Sequence, residues 1–172
     1  MRIRPAGPGD IDGIATAHLA SWRSGYSTLL PPGKLDAVEL DERRKVWARR
    51  LAQLRAPGEV LVAESGGSVV GFAQVGPARD DDLDAAQVGE LWAMYVDPTA
   101  WRCGAGRALM AAGCAHLTAA GFPAAVLWVL AGNDRALGFY EATGWEPEGS
   151  RRELTFLGVT LNELRLRRDL TG

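Results

Sequence analysis

The chain has few of the residues that build extracellular or metal-binding proteins. Its 172 residues include only two cysteines and two histidines. Cys103 and Cys114 do not form a secreted disulfide pattern, and no Cys/His spacing resembles a zinc site. We therefore expect no bound metal and a reducing, cytoplasmic location.

Long apolar segments and a charge excess are also missing. Residues 1–14 lack the apolar stretch of a signal peptide, and the longest apolar run, Ala124 to Ala131, is far shorter than the ~20 residues of a membrane helix. A net charge of -2 and a pI near 5.7 give no global electrostatic reason to bind nucleic acid. We expect a protein that binds neither membranes nor nucleic acids.

Strand and helix signals alternate along the first half of the chain, with no internal repeat or low-complexity linker. A short strand at Ile3 precedes a helix that begins after Pro8-Gly9-Asp10, and an amphipathic helix around Trp47 ends before Pro57. The stretch EVLVAESGGSVVGFAQVG predicts a hairpin that turns at Gly66-Gly67. We expect one domain over residues 1–172.

The second half predicts a βαβ unit followed by a short helix and two strands. Val88–Asp97 is a strand, Gly104–Ala120 a helix, and Ala124–Leu130 a continuous apolar run typical of a buried parallel strand. Asn133 is expected to cap a helix that ends at Gly144, with strands at residues 145–156 and 160–168. The pattern predicts an α/β fold with a mixed sheet.

The stretch VDPTAWRCGAGRALM, residues 96–110, is typical of an anion-binding loop. Its glycines at 104 and 106 let backbone approach a ligand, and the following helix offers unpaired N–H groups, with Arg102 and Arg107 as charge support. A dinucleotide fingerprint would need glycine at Leu109, and a P-loop would need Lys and Ser or Thr after its second glycine. Both fail, which leaves a pyrophosphate site or a tightly packed helix start.

A second motif, NDRALGFYEATGW, resembles the second motif of the GNAT superfamily, the acetyl-CoA-dependent N-acetyltransferases. The matching positions are Asn133, Ala136, Phe139, Tyr140, Gly144 and Trp145. The first stretch is similar to that superfamily's coenzyme loop through Val96, Pro98, Gly104 and Gly106, but Trp101 stands where the family usually has Gln or Arg. The resemblance implies a GNAT-like acyl-CoA N-acyltransferase fold, with about seven mostly antiparallel strands, a central parallel pair and about four helices.

The resemblance further implies acetyl-CoA as co-substrate and a set of residues that bind it. This cofactor-binding set is Met94, Tyr95, Val96, Arg102, Cys103, Gly104, Ala105, Gly106, Arg107, Asn133, Ala136, Phe139 and Tyr140. It also implies a bulge in the strand before the loop, which would free a backbone N–H near Met94 or Tyr95 to bind an oxyanion.

The predicted reaction is direct attack of a primary amine on acetyl-CoA in a ternary complex. An amine with a pKa of ~10 is protonated at neutral pH, so a base is required. Glu90, on the strand before the loop, is the candidate base, and Tyr140 matches the family's usual general acid for the leaving thiolate. The alternative interpretations are an exposed strand glutamate and an ordinary core aromatic.

The sequence does not identify the acceptor, which is a small-molecule amine or a peptide amine. The candidate substrate-binding residues are Trp22, Tyr26, Glu90 and Trp92. Trp22 and Tyr26 are included because the first two helices edge the acceptor pocket in the relatives that the chain resembles. The aspartates of the loop RDDDLDAAQ could attract a cationic amine. An acyl-CoA-binding regulatory module without turnover and a homodimer remain open alternatives.

Overall fold

A computed structural model describes residues 1–171 and contains one seven-stranded sheet. The strands are β1 (Arg2–Pro5), β2 (Glu59–Ser65), β3 (Ser68–Pro77), β4 (Val88–Val96), β5 (Ala124–Leu130), β6 (Glu146–Phe156) and β7 (Val159–Asp169). Their order across the sheet is β1-β2-β3-β4-β5-β7-β6. The pair β4 and β5 is parallel, and the other neighbouring pairs are antiparallel.

Four helices cover the two faces of this sheet. They are α1 (Ile11–Gly25), α2 (Leu40–Gln53), α3 (Ala105–Ala119) and α4 (Asp134–Glu141). Ile14 of α1 and Trp47 of α2 pack with Phe72 in one buried cluster, whereas Leu109 of α3 and Tyr140 of α4 belong to a separate cluster. Because strand side chains alternate between faces, two cores form from one sheet. Among residues 1–171, no helix has both the length and the apolar character needed to cross a membrane.

The predicted mixed sheet, with a central parallel pair and four helices, is confirmed. Two helix ends differ slightly from the predicted positions. Helix α3 begins at Ala105 because Gly104 has a φ of 86° and lies outside the helix as its N-cap. Helix α4 ends at Glu141, three residues before Gly144, whose own φ is 84°.

Strands β4 and β5 pair only over their first residues. Their register runs from Val88 opposite Ala124 to Leu91 opposite Leu127, and β5 then continues alone beside β7. On the other side of β4, Leu91 and Ala93 pair with adjacent residues of β3, which leaves Trp92 as the extra residue of a β-bulge. The strands therefore part after Leu91, and the sheet is open at its centre.

Candidate active site

A cleft of about 510 Å³ lies where β4 and β5 part. Its lining includes most of the predicted site residues, namely Tyr26, Glu90, Trp92, Met94, Tyr95, Val96, Arg102, Gly104, Gly106, Arg107, Asn133, Ala136, Phe139 and Tyr140. Three predicted residues lie outside this lining. Trp22 is buried beside Tyr26, with 6.4 Å between ring centroids, Ala105 is buried in the core, and Cys103 is exposed.

The loop before α3 turns its backbone toward the cleft. Arg102 and Gly104 both have positive φ angles, 63° and 86°. The N–H of Ala108 donates to the Gly104 carbonyl at 3.0 Å, so the three preceding N–H groups have no partner within the helix. These N–H groups and the partial positive charge of the helix end, with Arg102 and Arg107 in the lining, can hold an anion.

Gly106 serves close packing as well as the loop. A Cβ atom at this position would lie 3.2 Å from Cε2 of Phe139, so the first turn of α3 and the ring on α4 touch here. At Gly104, by contrast, a Cβ would meet nothing within 4 Å. Glycine is therefore needed at the two positions for different reasons. Gly104 has a left-handed backbone conformation, and Gly106 allows the close approach of Phe139.

The Trp101 side chain is fixed by contacts with Val96 and Arg135. Its indole Nε1 donates to the carbonyl oxygen of Val96 at 2.8 Å, and the Arg135 guanidinium lies 3.9 Å from the centroid of its ring. Both Trp101 and Arg135 line the cleft. Arg135 was not predicted as a site residue, although its position two residues after the Asn133 cap is a signal that could have indicated it.

The bulge and the ladder of β4 decide which N–H groups face the gap. The N–H of Asp97 donates to the Val70 carbonyl at 2.8 Å. Hydrogen bonding alternates along an antiparallel ladder, so the backbone N–H of Tyr95 also points toward β3. The N–H groups of Met94 and Val96 point the opposite way. That side is the gap left by β5, so the Met94 N–H points into the gap.

Tyr140 lies on the α3/α4 side of the gap. Helix α4 is positioned by its N-cap, since the Asn133 side chain accepts a hydrogen bond from the Ala136 N–H at 3.3 Å. Tyr140 is 9 % exposed and lines the cleft. Burial, and secondarily Tyr95, raises the pKa of its phenol well above the ordinary value. The phenol therefore stays protonated and can donate.

Tyr26, which directly follows α1, and Tyr95 of β4 meet at the cleft. Their hydroxyl oxygens are 3.0 Å apart. Burial raises the pKa of Tyr26 well above its usual range, and nearby Tyr95, Tyr140 and Glu163 add to this effect. These three tyrosines and Glu163 all line the cleft.

Glu90 is 2 % exposed, which excludes an exposed strand glutamate. Arg79 encloses it: one carboxylate oxygen accepts from the Arg79 backbone N–H at 2.9 Å and from Nε at 3.2 Å, and the other accepts from a terminal nitrogen at 2.5 Å. The Arg79 guanidinium also lies 5.1 Å from the centroid of the Trp92 ring. Glu90 is therefore a buried carboxylate in an ion pair with Arg79.

A second buried carboxylate, Glu163 of β7, was missed by the sequence analysis. It is 8 % exposed, lines the cleft, and accepts a 2.6 Å hydrogen bond from Nε of Arg152. Arg152 in turn lies over the Trp128 ring, 4.1 Å from its centroid. Alternation in NELRLRR predicts Leu164 and Leu166 as the inward residues and Glu163 as an outward one, so its place beside the cleft follows only from the pairing of β7 with β5.

Two of the four aspartates in the loop between β3 and β4, Asp80 and Asp82, are paired with arginine. Arg165, which is 5 % exposed, donates to Asp80 at 3.0 Å and to both oxygens of Asp82 at 2.7 and 2.6 Å. Asp80 also accepts from the Trp128 indole at 2.8 Å. These two carboxylates fasten the loop to the sheet, instead of lying free to attract an amine. Within residues 1–171, no cluster of three or more His, Cys, Asp or Glu residues could hold a metal ion.

The strand registers divide the site between the two faces of the sheet. Glu90 pairs with Val126 and Glu163 with Leu130, and these β5 residues share the face of Trp128. The two carboxylates therefore project from one face. The anion-binding loop and Tyr140 belong to the opposite face, where α3 and α4 pack. The cleft connects the two sides through the gap between β4 and β5.

Residues 19–145 match the acetyltransferase (GNAT) family. An uncharacterized N-acetyltransferase of Bacillus subtilis, YuaI, is 34% identical over 167 residues, which cover 96% of this chain and 91% of that protein.

Two solved structures share the fold over almost the whole chain. A ribosomal-protein-alanine N-acetyltransferase from Brucella melitensis superimposes with a TM-score of 0.71 at 26% identity, covering 98% of this chain and 99% of that one. The yncA protein of Salmonella typhimurium, solved with its cofactor acetyl-CoA, gives a TM-score of 0.70 at 22% identity, covering 99% and 94%.

Proposed function

The chain belongs to the acetyltransferase (GNAT) family and is an acyltransferase, and we propose that it transfers an acetyl group from acetyl-CoA to a primary amine. The observation that carries the proposal is the cleft through the sheet, with an anion-binding loop on one face and buried carboxylates on the other. This arrangement suits two substrates that meet in the gap. It favours direct attack in a ternary complex over a covalent enzyme intermediate.

The loop before α3 is proposed to hold the coenzyme's pyrophosphate. The unpaired N–H groups at the start of α3 would donate to it, with Arg102 and Arg107 beside them. The side chains that extend this set toward the gap are proposed to be Asn133, Ala136 and Phe139 of the second motif. Cys103 and Ala105 would contribute only backbone groups to this site, since their side chains lie outside the cleft lining.

Groups on both sides of the gap have the properties needed for the chemistry. The Met94 N–H would donate to the oxyanion that forms when the amine attacks, where a preformed donor acts most strongly. Tyr140 would donate its proton to the leaving thiolate sulfur. The attacking amine must first lose a proton, and the cleft offers two carboxylates for this step, Glu90 and Glu163.

Calorimetry and turnover test the proposal together. Purified protein is titrated with acetyl-CoA, and thiol release is then followed with putrescine, L-lysine and the tripeptide Ala-Ala-Ala. We expect saturable acetyl-CoA binding and amine-dependent thiol release. Absence of binding by folded protein would contradict the coenzyme site. Binding without thiol release on any amine would instead favour the regulatory module.

A further inference from the structure

Glu163 is a buried carboxylate in the cleft for which the family motifs of this sequence give no role. It lies on β7 opposite Leu130, the last residue of β5, and is 8 % exposed. It shares the α1/α2 face of the sheet with Glu90. Glu163 therefore borders the half of the cleft that faces away from the anion-binding loop.

The two oxygens of Glu163 differ in their bonding. Oε2 accepts the 2.6 Å hydrogen bond from Arg152, whereas Oε1 has no hydrogen-bond partner within residues 1–171. Oε1 is not one of the fully buried side-chain atoms that lack a partner, so it keeps some exposure to the space of the cleft. Oε1 is thus ready for a cationic N–H donor that enters the cleft.

Arg152 cannot readily supply that second bond. Its guanidinium is stacked over Trp128 at 4.1 Å and also reaches Asp80 at 3.4 Å. These contacts hold it on the Oε2 side of Glu163. The charge of Arg152 is shared between two carboxylates, Asp80 and Glu163, so it does not fully compensate either one.

Glu90 has less hydrogen-bonding capacity left for an incoming amine than Glu163 has. Three hydrogen bonds from Arg79 already engage its two oxygens. The Arg79 guanidinium also lies over the Trp92 ring, so the ion pair with Glu90 holds Arg79 and Trp92 together at the bulge. Glu90 therefore holds Arg79 in place, whereas Glu163 has one oxygen available to bind an amine.

The groups that face Glu163 from other elements suit a reacting centre. Tyr26, which directly follows α1, is hydrogen-bonded to Tyr95 on β4, and Tyr140 lies on α4. All four side chains line the cleft, and Tyr140 and Glu163, after burial and Tyr95, contribute to the raised pKa of Tyr26. The candidate acid and Glu163 thus lie on opposite sides of the gap.

We propose that Glu163, through Oε1, binds the ammonium form of the acceptor amine and takes its proton, while Glu90 acts as a positioning residue for Arg79. This assignment rests on the proposed acetyl transfer. The ammonium nitrogen gives one proton to Glu163, and its freed electron pair forms the C–N bond at the thioester carbonyl. Collapse of the intermediate breaks the C–S bond, and the thiolate takes a proton from Tyr140. Tyr140 regains a proton from the amide nitrogen, and Glu163 releases its own to solvent, so one proton is produced per turnover.

Matched glutamine variants test this assignment. Wild type, E163Q, E90Q and E148Q are compared by thiol release with putrescine, L-lysine and Ala-Ala-Ala, and by calorimetric titration with acetyl-CoA. Loss of a general base lowers kcat/KM by about 100-fold, so this is the loss expected for E163Q, with unchanged acetyl-CoA affinity. E90Q should lose less. E148Q is the control, because Glu148 also pairs with an arginine, Arg165, but lies outside the cleft.

Two further measurements separate proton transfer from a structural effect. Hydroxylamine is mostly unprotonated at neutral pH, so E163Q should lose much less activity with it than with putrescine. Formate should restore activity to E163A, because it supplies a carboxylate in the space of the missing side chain, and this test does not depend on E163Q folding well.

The outcomes are distinguishable. Wild-type kcat/KM in E163Q, or a larger loss in E90Q, would overturn the assignment while leaving acetyl transfer intact. An equal loss with hydroxylamine and putrescine, without formate rescue, would also overturn it. If wild type itself releases no thiol with any amine, the proposed function fails and the assignment falls with it.

Discussion

The indole Nε1 of Trp101 donates a 2.8 Å hydrogen bond to the carbonyl oxygen of Val96. Val96 is the last residue of β4, and Trp101 stands four residues before the start of α3, so this bond closes the connection that forms the anion-binding loop. The Arg135 guanidinium covers the ring at 3.9 Å and ties the loop to α4. Trp101 therefore stabilises the loop in a position where the family usually has Gln or Arg.

Replacing Trp101 tests this role. The hydrogen bond contributes about 1 kcal/mol, so W101F should lower the free energy of unfolding by that amount, and W101A should lower it further because the ring contact is also lost. The dissociation constant of acetyl-CoA should rise in the same order. Urea denaturation and calorimetry measure the two quantities. An unchanged acetyl-CoA affinity in W101A would show that the loop keeps its binding shape without the ring.

Gly104 and Gly121 provide a matched pair at the two ends of α3. Both have positive φ, 86° and 94°, and in both cases a Cβ would meet nothing within 4 Å. Alanine should therefore destabilise each site similarly, by about 1–2 kcal/mol. Only G104A should also weaken acetyl-CoA binding, because Gly104 lines the cleft and Gly121 does not. Equal affinities of the two variants in calorimetry would argue against pyrophosphate binding at this loop.

Local patterns in the sequence were enough to predict most of the elements and the loop side of the cleft. The apolar run Ala124–Leu130 is β5 itself, because a strand buried on both faces needs no polar alternation. The loop residues and Tyr140 meet in one cleft because the two motifs lie on adjacent elements of a βαβ unit and the helix that follows.

Long-range pairing is what the sequence left undetermined. Glu163 reaches the cleft only because β7 inserts between β5 and β6, and Arg165 engages Asp82 across 83 residues of chain. Neither contact leaves a periodic signal. Trp22 and Tyr26 lie one helical turn apart and are both aromatic, yet only Tyr26 lines the cleft. Helical spacing predicts that the two rings share one side of the chain at the end of α1, but it does not predict where the cleft ends.

Tyr140 gives a direct test of the leaving-group step. Because its phenol is buried and stays protonated, its proton is present when the thiolate forms beside it, and Y140F should lower kcat by about 100-fold. Acetyl-CoA affinity should change little, since only one oxygen atom is removed. Steady-state kinetics and calorimetry on the same preparation measure both. A wild-type kcat in folded Y140F would remove Tyr140 from the mechanism.

His18 should make the stability of the protein sensitive to acid. It is 3 % exposed between aromatic rings, with its Nδ1 accepting from the Trp47 indole at 3.0 Å. Burial, helped by the charges of Arg43 and Arg50, lowers its pKa from 6.5 to about 3. Between these values the unfolded chain binds a proton on His18 that the folded protein does not, so stability falls as the pH falls.

The variant H18Q isolates this contribution, because glutamine keeps an acceptor for Trp47 and does not titrate. Below pH 6.5 the wild-type free energy of unfolding should fall more steeply than that of H18Q, by up to about 1.4 kcal/mol per pH unit. Above pH 6.5 the two slopes should agree, since carboxylates and other groups titrate alike in both proteins. Urea denaturation in a series of buffers at constant ionic strength provides the slopes. Parallel curves from pH 6.5 down to about 3 would mean that His18 gains its proton without unfolding the aromatic cluster around it.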